Sequence, residues 1–246
     1  MKTFTTTALD KSNPTPLYYQ LQTIIQDDIN ADRLQPGDLI PTEIQLSEEY
    51  KVSRTTVRQA IMSLVMEGKL FRVKGKGTFV AEPKITQDFM QRLEPFSEQM
   101  KRLGLKAYTK VLDMSCVPPP AEVSEVLNSK ENVIRLTRLR GANDEPIVVL
   151  TTYLPLRCSE ILKEDMSKTG LYEFLAREDN LRINRVIRKV EAVAAGKYEG
   201  ELLDIKIGSP IQLTTSIGYT KNSEVMEYSI ARYRGDKNLF IVELRT

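Results

Sequence analysis

The first eighty residues hold three short helical stretches with capping signals, then a hairpin punctuated by glycine, and few folds accept that order. Thr15-Pro16 predicts a helix entry, with Thr as cap and Pro in the first turn. Leu17, Leu21, Ile24, Ile25 and Ile29 follow at helical spacing and form one apolar stripe. Leu34-Gln35-Pro36-Gly37 ends that helix. Thr42 and Gln45 have capping-box spacing for a second helix reaching about Tyr50. Lys51-Val52 is a tight turn, and Ser53 caps a third helix that ends near Gly68.

On the third helix Val57, Ile61, Leu64 and Val65 share a face that should be buried. At about 100° per residue, Arg54, Arg58, Met62, Thr55 and Gln59 lie opposite. Arginine grips guanine edges or phosphate, glutamine reads adenine, and threonine meets phosphate or a thymine methyl. Two short helices joined by a tight turn, the second bearing such groups, read as a helix-turn-helix. Charge follows the same division. Residues 51–80 carry seven Lys or Arg against Glu67 alone, whereas residues 10–50 carry Lys11 and Arg33 against eight carboxylates. Such a block is either a solvated face or the contact for a focused anionic partner.

Leu70–Val73 and Thr78–Val80 flank Lys74-Gly75-Lys76-Gly77, a hairpin with a basic, glycine-rich tip. Glycine there lets backbone come close to a phosphate or groove floor. The tip follows a helix, opens none and lacks P-loop spacing, so it is not a nucleotide loop.

PTEIQLSEEYKVSRTTVRQAIMSLVMEGKLFRVKGKGTFV resembles the winged helix-turn-helix of GntR-type bacterial repressors, with similarity over residues 14–80. The resemblance implies a third helix in the major groove and a wing tip near the minor groove. It assigns Arg54, Thr55, Thr56, Arg58 and Gln59 to the recognition helix, and Lys74, Gly75, Lys76 and Gly77 to the wing. Ile44 departs from the polar or basic residue many relatives carry at the start of the second helix.

Residues 1–80 are thus expected to be a DNA-binding domain, 81–92 a polar linker and 93–246 a second domain. In the latter a helix is expected at Pro95–Leu103, then strands at Tyr108–Met114, Val133–Arg140 and Ile147–Tyr153, with a helix at Ala121–Leu127. Helices over 159–166 and 170–177 precede strands at Arg185–Val193, Ile211–Tyr219 and Val225–Arg234, and Phe240–Leu244 is placed to close the sheet. The class is α+β, mostly antiparallel, with helices on the sheet.

Strand alternation puts Ile134, Leu136, Arg138 and Arg140 on one face. Either the strand end emerges into solvent, or paired guanidiniums await a phosphate or carboxylate. Glu227, Ser229, Ala231 and Tyr233 also share a face. That face is either ordinary polar surface or a pocket wall where small Ser and Ala leave room between a carboxylate and a phenol.

PFSEQMKRLGLK, RLTRLRGANDEPIVVLTTYLP and EYSIARYRGDKNLFIVEL resemble the UTRA ligand domain of the HutC branch of GntR regulators. The resemblance implies a chorismate lyase-like fold, dimerisation and small-ligand binding; several members sense phosphosugars such as N-acetylglucosamine 6-phosphate. Arg138 and Arg140 fall on the branch's phosphate-gripping arginines, and Ser97, Tyr172, Glu227 and Tyr233 on other pocket positions. Gly170 stands where phosphosugar sensors often have Ser, and Leu150-Thr151-Thr152 lacks the acidic residue often found before the YLP segment.

The chain has no histidine, which removes Ser-His-Asp and Cys-His sites and the commonest metal ligand. Cys116 and Cys158 are too few for a disulfide framework or a zinc site and read as buried small residues in a reducing cytoplasm. No apolar run is long enough for a signal peptide or a membrane span. No cofactor, metal or catalytic group is expected. The expected function is a cytoplasmic homodimeric repressor of sugar uptake or catabolism genes, released from a palindromic double-stranded DNA operator by a small phosphorylated ligand. A lyase-like enzyme built around Glu227 and an effector-independent DNA-binding protein are the alternatives.

Overall fold

The structure, a computed structural model, describes residues 8–87 and 95–243. The chain divides into two compact units, Met1–Lys84 and Ile85–Thr246.

In the first unit, helix α1 (Leu17–Asn30) buries Leu21, Ile25 and Asp28. Thr15 is not its cap: Pro16 sits at that position with no side-chain cap bond, because its extended backbone leaves the helix to begin at Leu17. Helix α2 (Glu43–Tyr50) starts with the expected box, in which Thr42 accepts from the Gln45 amide and Gln45 accepts from the Thr42 amide. Lys51 ends it in the left-handed region, which compresses the turn to helix α3 (Arg54–Met66). Ser53 caps α3 by accepting from the Thr56 amide at 3.1 Å. Leu21, Ile25, Leu46, Val57, Ile61 and Leu64 form one core with Leu70 and Val80. Burying each such side chain contributes about 1.5–3 kcal/mol, far more than helix propensity supplies to stretches this short.

Strands β1 (Leu70–Val73) and β2 (Gly77–Val80) form the expected hairpin, with Phe71 stacked on Phe79 at 5.5 Å. Its tip closes through the Lys76 amide donating to Val73 O, and Gly75 holds φ +76°, as the third residue of a type II turn requires. Gly77 has φ +123°, and a Cβ there would stand 2.6 Å from Leu39 Cδ1.

The second unit contains a six-stranded antiparallel sheet in the order β4-β5-β6-β9-β8-β7. The strands are β4 (Ala107–Val117), β5 (Val133–Ala142), β6 (Glu145–Pro155), β7 (Arg185–Ala194), β8 (Pro210–Tyr219) and β9 (Val225–Arg234). The β5–β6 turn uses Asn143 and Asp144 at φ +49° and +67°, both residue types that tolerate this region. One sheet face carries a 3-10 helix (Leu156–Lys163) and α6 (Leu171–Leu175), which pack on Ile134, Leu136 and Leu154. The other carries α5 (Ala121–Val126) over Val133 and Tyr228, and α7 (Lys197–Leu203) over Val149 and Ile211. Helix α4 (Phe96–Arg102) packs through Met100 on Ala142 and Ile147.

Three expectations change. The helix expected over 159–166 is a 3-10 helix that begins three residues earlier, directly after Pro155. Helix α7 was not expected; Gly200 weakens its signal, and its start is fixed by the Gly196 amide donating to Glu199 at 2.8 Å. The last strand does not close the sheet. Strand β10 (Asn238–Phe240) instead runs parallel to β3 (Ile85–Gln87), inside the stretch expected to be linker. The chain turns after Arg234, and the buried Asn238 amide fixes the corner by donating to Arg234 O at 2.7 Å. Residues 88–92 of that linker, and Leu244, lie outside the described residues.

Candidate functional site

The first unit presents the residues expected to contact DNA on an exposed face of α3. Arg54, Thr55, Arg58 and Gln59 are exposed, while Val57, Ala60, Ile61 and Leu64 are buried. Thr56 stands apart from the set. It is half-buried, its amide and hydroxyl both engage Ser53, and it is therefore tied to the helix start. Lys74, Gly75, Lys76 and Gly77 are exposed at the wing tip.

Glu43, which no sequence pattern singles out, links α3 to the wing. Glu43, on the first turn of α2, accepts from Arg58 Nε at 3.1 Å with one oxygen and from Arg72 Nη2 at 2.9 Å with the other. Such a carboxylate holds an α3 arginine and a wing arginine in fixed orientations while cancelling part of their charge. Glu43→Gln is expected to lower the ratio of operator to random-DNA affinity by roughly fivefold or more, about 1 kcal/mol. Competition binding at constant salt checks this; an unchanged ratio would leave Glu43 with a purely local structural role.

In the second unit the six residues expected in a ligand pocket line a single cavity of about 150 Å³. Register explains why. On β5, Arg138 and Arg140 sit beside Val111 and Thr109 of β4. Arg138 is opposite Leu150 of β6, which faces Ala231 of β9, which faces Thr214 of β8. Thr152, Ser229 and Ser216 form the adjacent row. Of these, Leu150, Ala231, Thr214, Ser229 and Ser216 line the cavity between the β5 arginines and Arg188 on β7, which also lines it. Ser97 and Phe96 at the start of α4, and residues 167–173 leading into α6, form the walls. Gly170 and Leu150, where the chain departs from the resembled branch, both line it.

Arg138 is 1% exposed, and its Nε and Nη1 atoms have no hydrogen-bond partner among the described residues. Arg140 Nε is likewise buried without a partner, while its guanidinium lies over the Phe96 ring at 5.4 Å. Burial, reinforced by the neighbouring Arg140 charge, pulls the Arg138 pKa well below its ordinary value, and Glu227 and Tyr172 oppose this. Burial also pulls Arg140 down, against Tyr233 and Glu227. Arginine nevertheless remains cationic in proteins. Buried cationic N–H groups without acceptors are costly, and an anion with several oxygens is the group that would relieve them.

Glu227 is buried and accepts from the Tyr172 hydroxyl at 2.8 Å. Burial raises its pKa, opposed by hydrogen bonds from Tyr172 and Ser229 and by Arg188 and Arg138. Burial pushes Tyr233 up to about 12, so it stays a neutral phenol. The cavity thus has arginines on both sides, Arg138 and Arg140 from β5 and Arg188 from β7, together with a carboxylate and phenols suited to hydroxyl or amine groups. Arg188 was missed because β7 is read as a strand but its alternation does not say which face meets the cavity; only pairing with Ser216 decides that. Among the described residues no group of three His, Cys, Asp or Glu could hold a metal, and no helix is long and apolar enough to cross a membrane.

Residues 17–80 match the bacterial regulatory proteins of the gntR family, and residues 102–238 match the UTRA domain. The chain is 32% identical to the HTH-type transcriptional repressor NagR of Bacillus subtilis (strain 168), over 95% of this chain and 96% of that protein. It is 29% identical to the mannosyl-D-glycerate transport/metabolism system repressor MngR of Escherichia coli (strain K12), over 92% and 94% of the two chains. PhnF from Mycobacterium smegmatis superposes with a TM-score of 0.64 at 25% identity, covering 90% of this chain and 98% of that one. The chain belongs to the gntR family of bacterial regulatory proteins, in the form that carries a UTRA domain, and is a DNA-binding transcription regulator and not an enzyme.

Proposed function

We propose that this regulator is a cytoplasmic, dimeric repressor of genes for sugar or amino-sugar use, and that a phosphosugar in the cavity releases it from a two-fold symmetric operator. The observation that carries the reading is the pair of buried arginines, Arg138 and Arg140, which both line the cavity and carry buried N–H groups without a partner among the described residues. A phosphate supplies several acceptor oxygens to that pair, and the sugar's hydroxyl or amine groups fall toward Glu227, Tyr172 and Tyr233. The names of relatives support the same class: beside NagR and MngR stands a probable fructoselysine utilization operon transcriptional repressor of Escherichia coli (strain K12), 28% identical. In this reading residues 1–80 read DNA, with Arg54, Thr55, Arg58 and Gln59 at bases or phosphates and the wing tip at the backbone.

Release requires the ligand to bind the DNA-free arrangement more tightly than the DNA-bound one. The test is a gel-shift titration of the full chain with a panel of hexose and amino-sugar 6-phosphates. At least one member is expected to weaken operator binding 5- to 150-fold, a coupling of about 1–3 kcal/mol. Failure of every member at millimolar concentration, in both operator binding and melting temperature, would reject the phosphosugar assignment.

A further inference from the structure

The Glu227 carboxylate lies over Gly218 of β8, the strand next to β7. Glu227 is opposite Gly218, and Gly218 is opposite Val186. A Cβ at Gly218 would stand 3.1 Å from both Glu227 Cβ and Glu227 Oε2, so the missing side chain gives the carboxylate its place. Arg188 is two residues along β7 from Val186, on the same face and opposite Ser216. That sets it diagonal to Gly218, a separation that long side chains span. Arg188 donates to the Tyr172 hydroxyl, which donates to Glu227 Oε2 at 2.8 Å. Guanidinium, phenol and carboxylate thus form one chain, and all three line the cavity.

The charges around this chain discriminate between ligands. Two of the charged side chains that line the cavity, Lys168 and Glu173, are exposed, where solvent screens them. Lys168 pairs with Asp165 at 3.1 Å, and Glu173 accepts from the Gly170 amide. The others are Arg138 and Glu227, both buried, and Arg140 and Arg188, both half-buried. Three guanidiniums therefore stand against one carboxylate, and a phosphate monoester dianion closes that set to neutrality. Without Arg188 the same set would be one charge negative, and an ammonium beside Glu227 would balance it. With Arg188 in place Glu227 already has its cation, and an ammonium brought to it meets Arg188 and Arg138 as well. Protonation of Glu227, which burial favours, removes the one anion and disfavours an ammonium further. A hydroxyl or an amide N–H donates to the same carboxylate without that repulsion. We propose that Arg188 makes the sensor selective by charge: it admits a phosphosugar that offers hydroxyl or acylated-amine groups to Glu227 and Tyr172, and rejects one that offers a free ammonium.

The inference rests on the phosphosugar reading above, and the test separates the two. Calorimetric titration of the full chain at pH 7 compares a hexosamine 6-phosphate with its N-acetyl derivative and with the parent hexose 6-phosphate, in the gluco, manno and galacto configurations. In the configuration that binds, the neutral-ring members are expected to bind tighter than the amine by about tenfold or more, because juxtaposed like charges are strongly unfavourable. Arg188→Gln keeps a donor for Tyr172 and removes the charge. It is expected to shrink that preference by about tenfold, chiefly by tightening the amine. Arg188→Lys keeps the charge and is expected to hold the preference to within about threefold of wild type. A wild type that binds the amine as tightly as its neutral partners would overturn the role of Arg188 and leave the phosphosugar sensor standing. So would a preference unchanged in Arg188→Gln, or one lost in Arg188→Lys. If no member of any configuration binds at millimolar concentration, both readings fall.

Discussion

Replacing Arg138 with methionine is expected to abolish the response to effector while leaving the unliganded protein at least as stable as wild type. The guanidinium is buried with two nitrogens unmatched, and burial already depresses its pKa. An apolar side chain of similar length removes that cost, and such exchanges at buried charges are often neutral or stabilising by about 1–4 kcal/mol. A bound phosphate, by contrast, loses a desolvated charge-assisted partner. Truncating one side of a buried charge pair costs about 2–5 kcal/mol, which is roughly 30- to several-thousand-fold in effector affinity. Calorimetric titration with the phosphosugar that releases the wild type, beside thermal melting, reads both effects. A variant that melts well below wild type, or that still responds, would show Arg138 to be a structural cation whose partner is Glu227.

Arg54→Ala is expected to act on the other half alone. Arg54 is exposed at the first position of α3, where a side chain reaches a groove without disturbing the core beneath Val57 and Ile61. Loss of a bidentate base contact costs about 1–3 kcal/mol, and loss of a phosphate contact lowers the salt slope of binding by about one. Operator affinity should therefore fall roughly 5- to 150-fold with the melting temperature and effector affinity unchanged. Measuring operator and random DNA at several salt concentrations separates the outcomes: a fall confined to the operator assigns Arg54 to a base, and an equal fall on both assigns it to phosphate. No change on either would remove it from the interface.

These outcomes bear on how the two halves differ in legibility. The first unit was readable because its contacts are local. The Thr42 box, the Ser53 cap and the glycines of the wing act within three or four residues, so spacing alone positions α2, α3 and the hairpin. Alternation likewise placed Arg138 with Arg140, and Glu227 with Tyr233, on common faces.

Periodicity could not say which strands are neighbours. That Arg138 lies two strands from Ala231 follows from β9 inserting between β6 and β8, a pairing some eighty residues apart in sequence. The same long-range order brought Arg188 to the cavity and left β7 uncovered. Glu43 escaped notice for a related reason, since its partners lie 15 and 29 residues away. The sequence by itself determined the caps, the turns, the exposed face of α3 and the two-residue alternation, because each is set by backbone chemistry within a turn or two. Only the tertiary structure decided which alternating faces converge, which cations are buried without partners and which edge stays open, because those depend on strand order, and strand order is chosen by packing between distant segments.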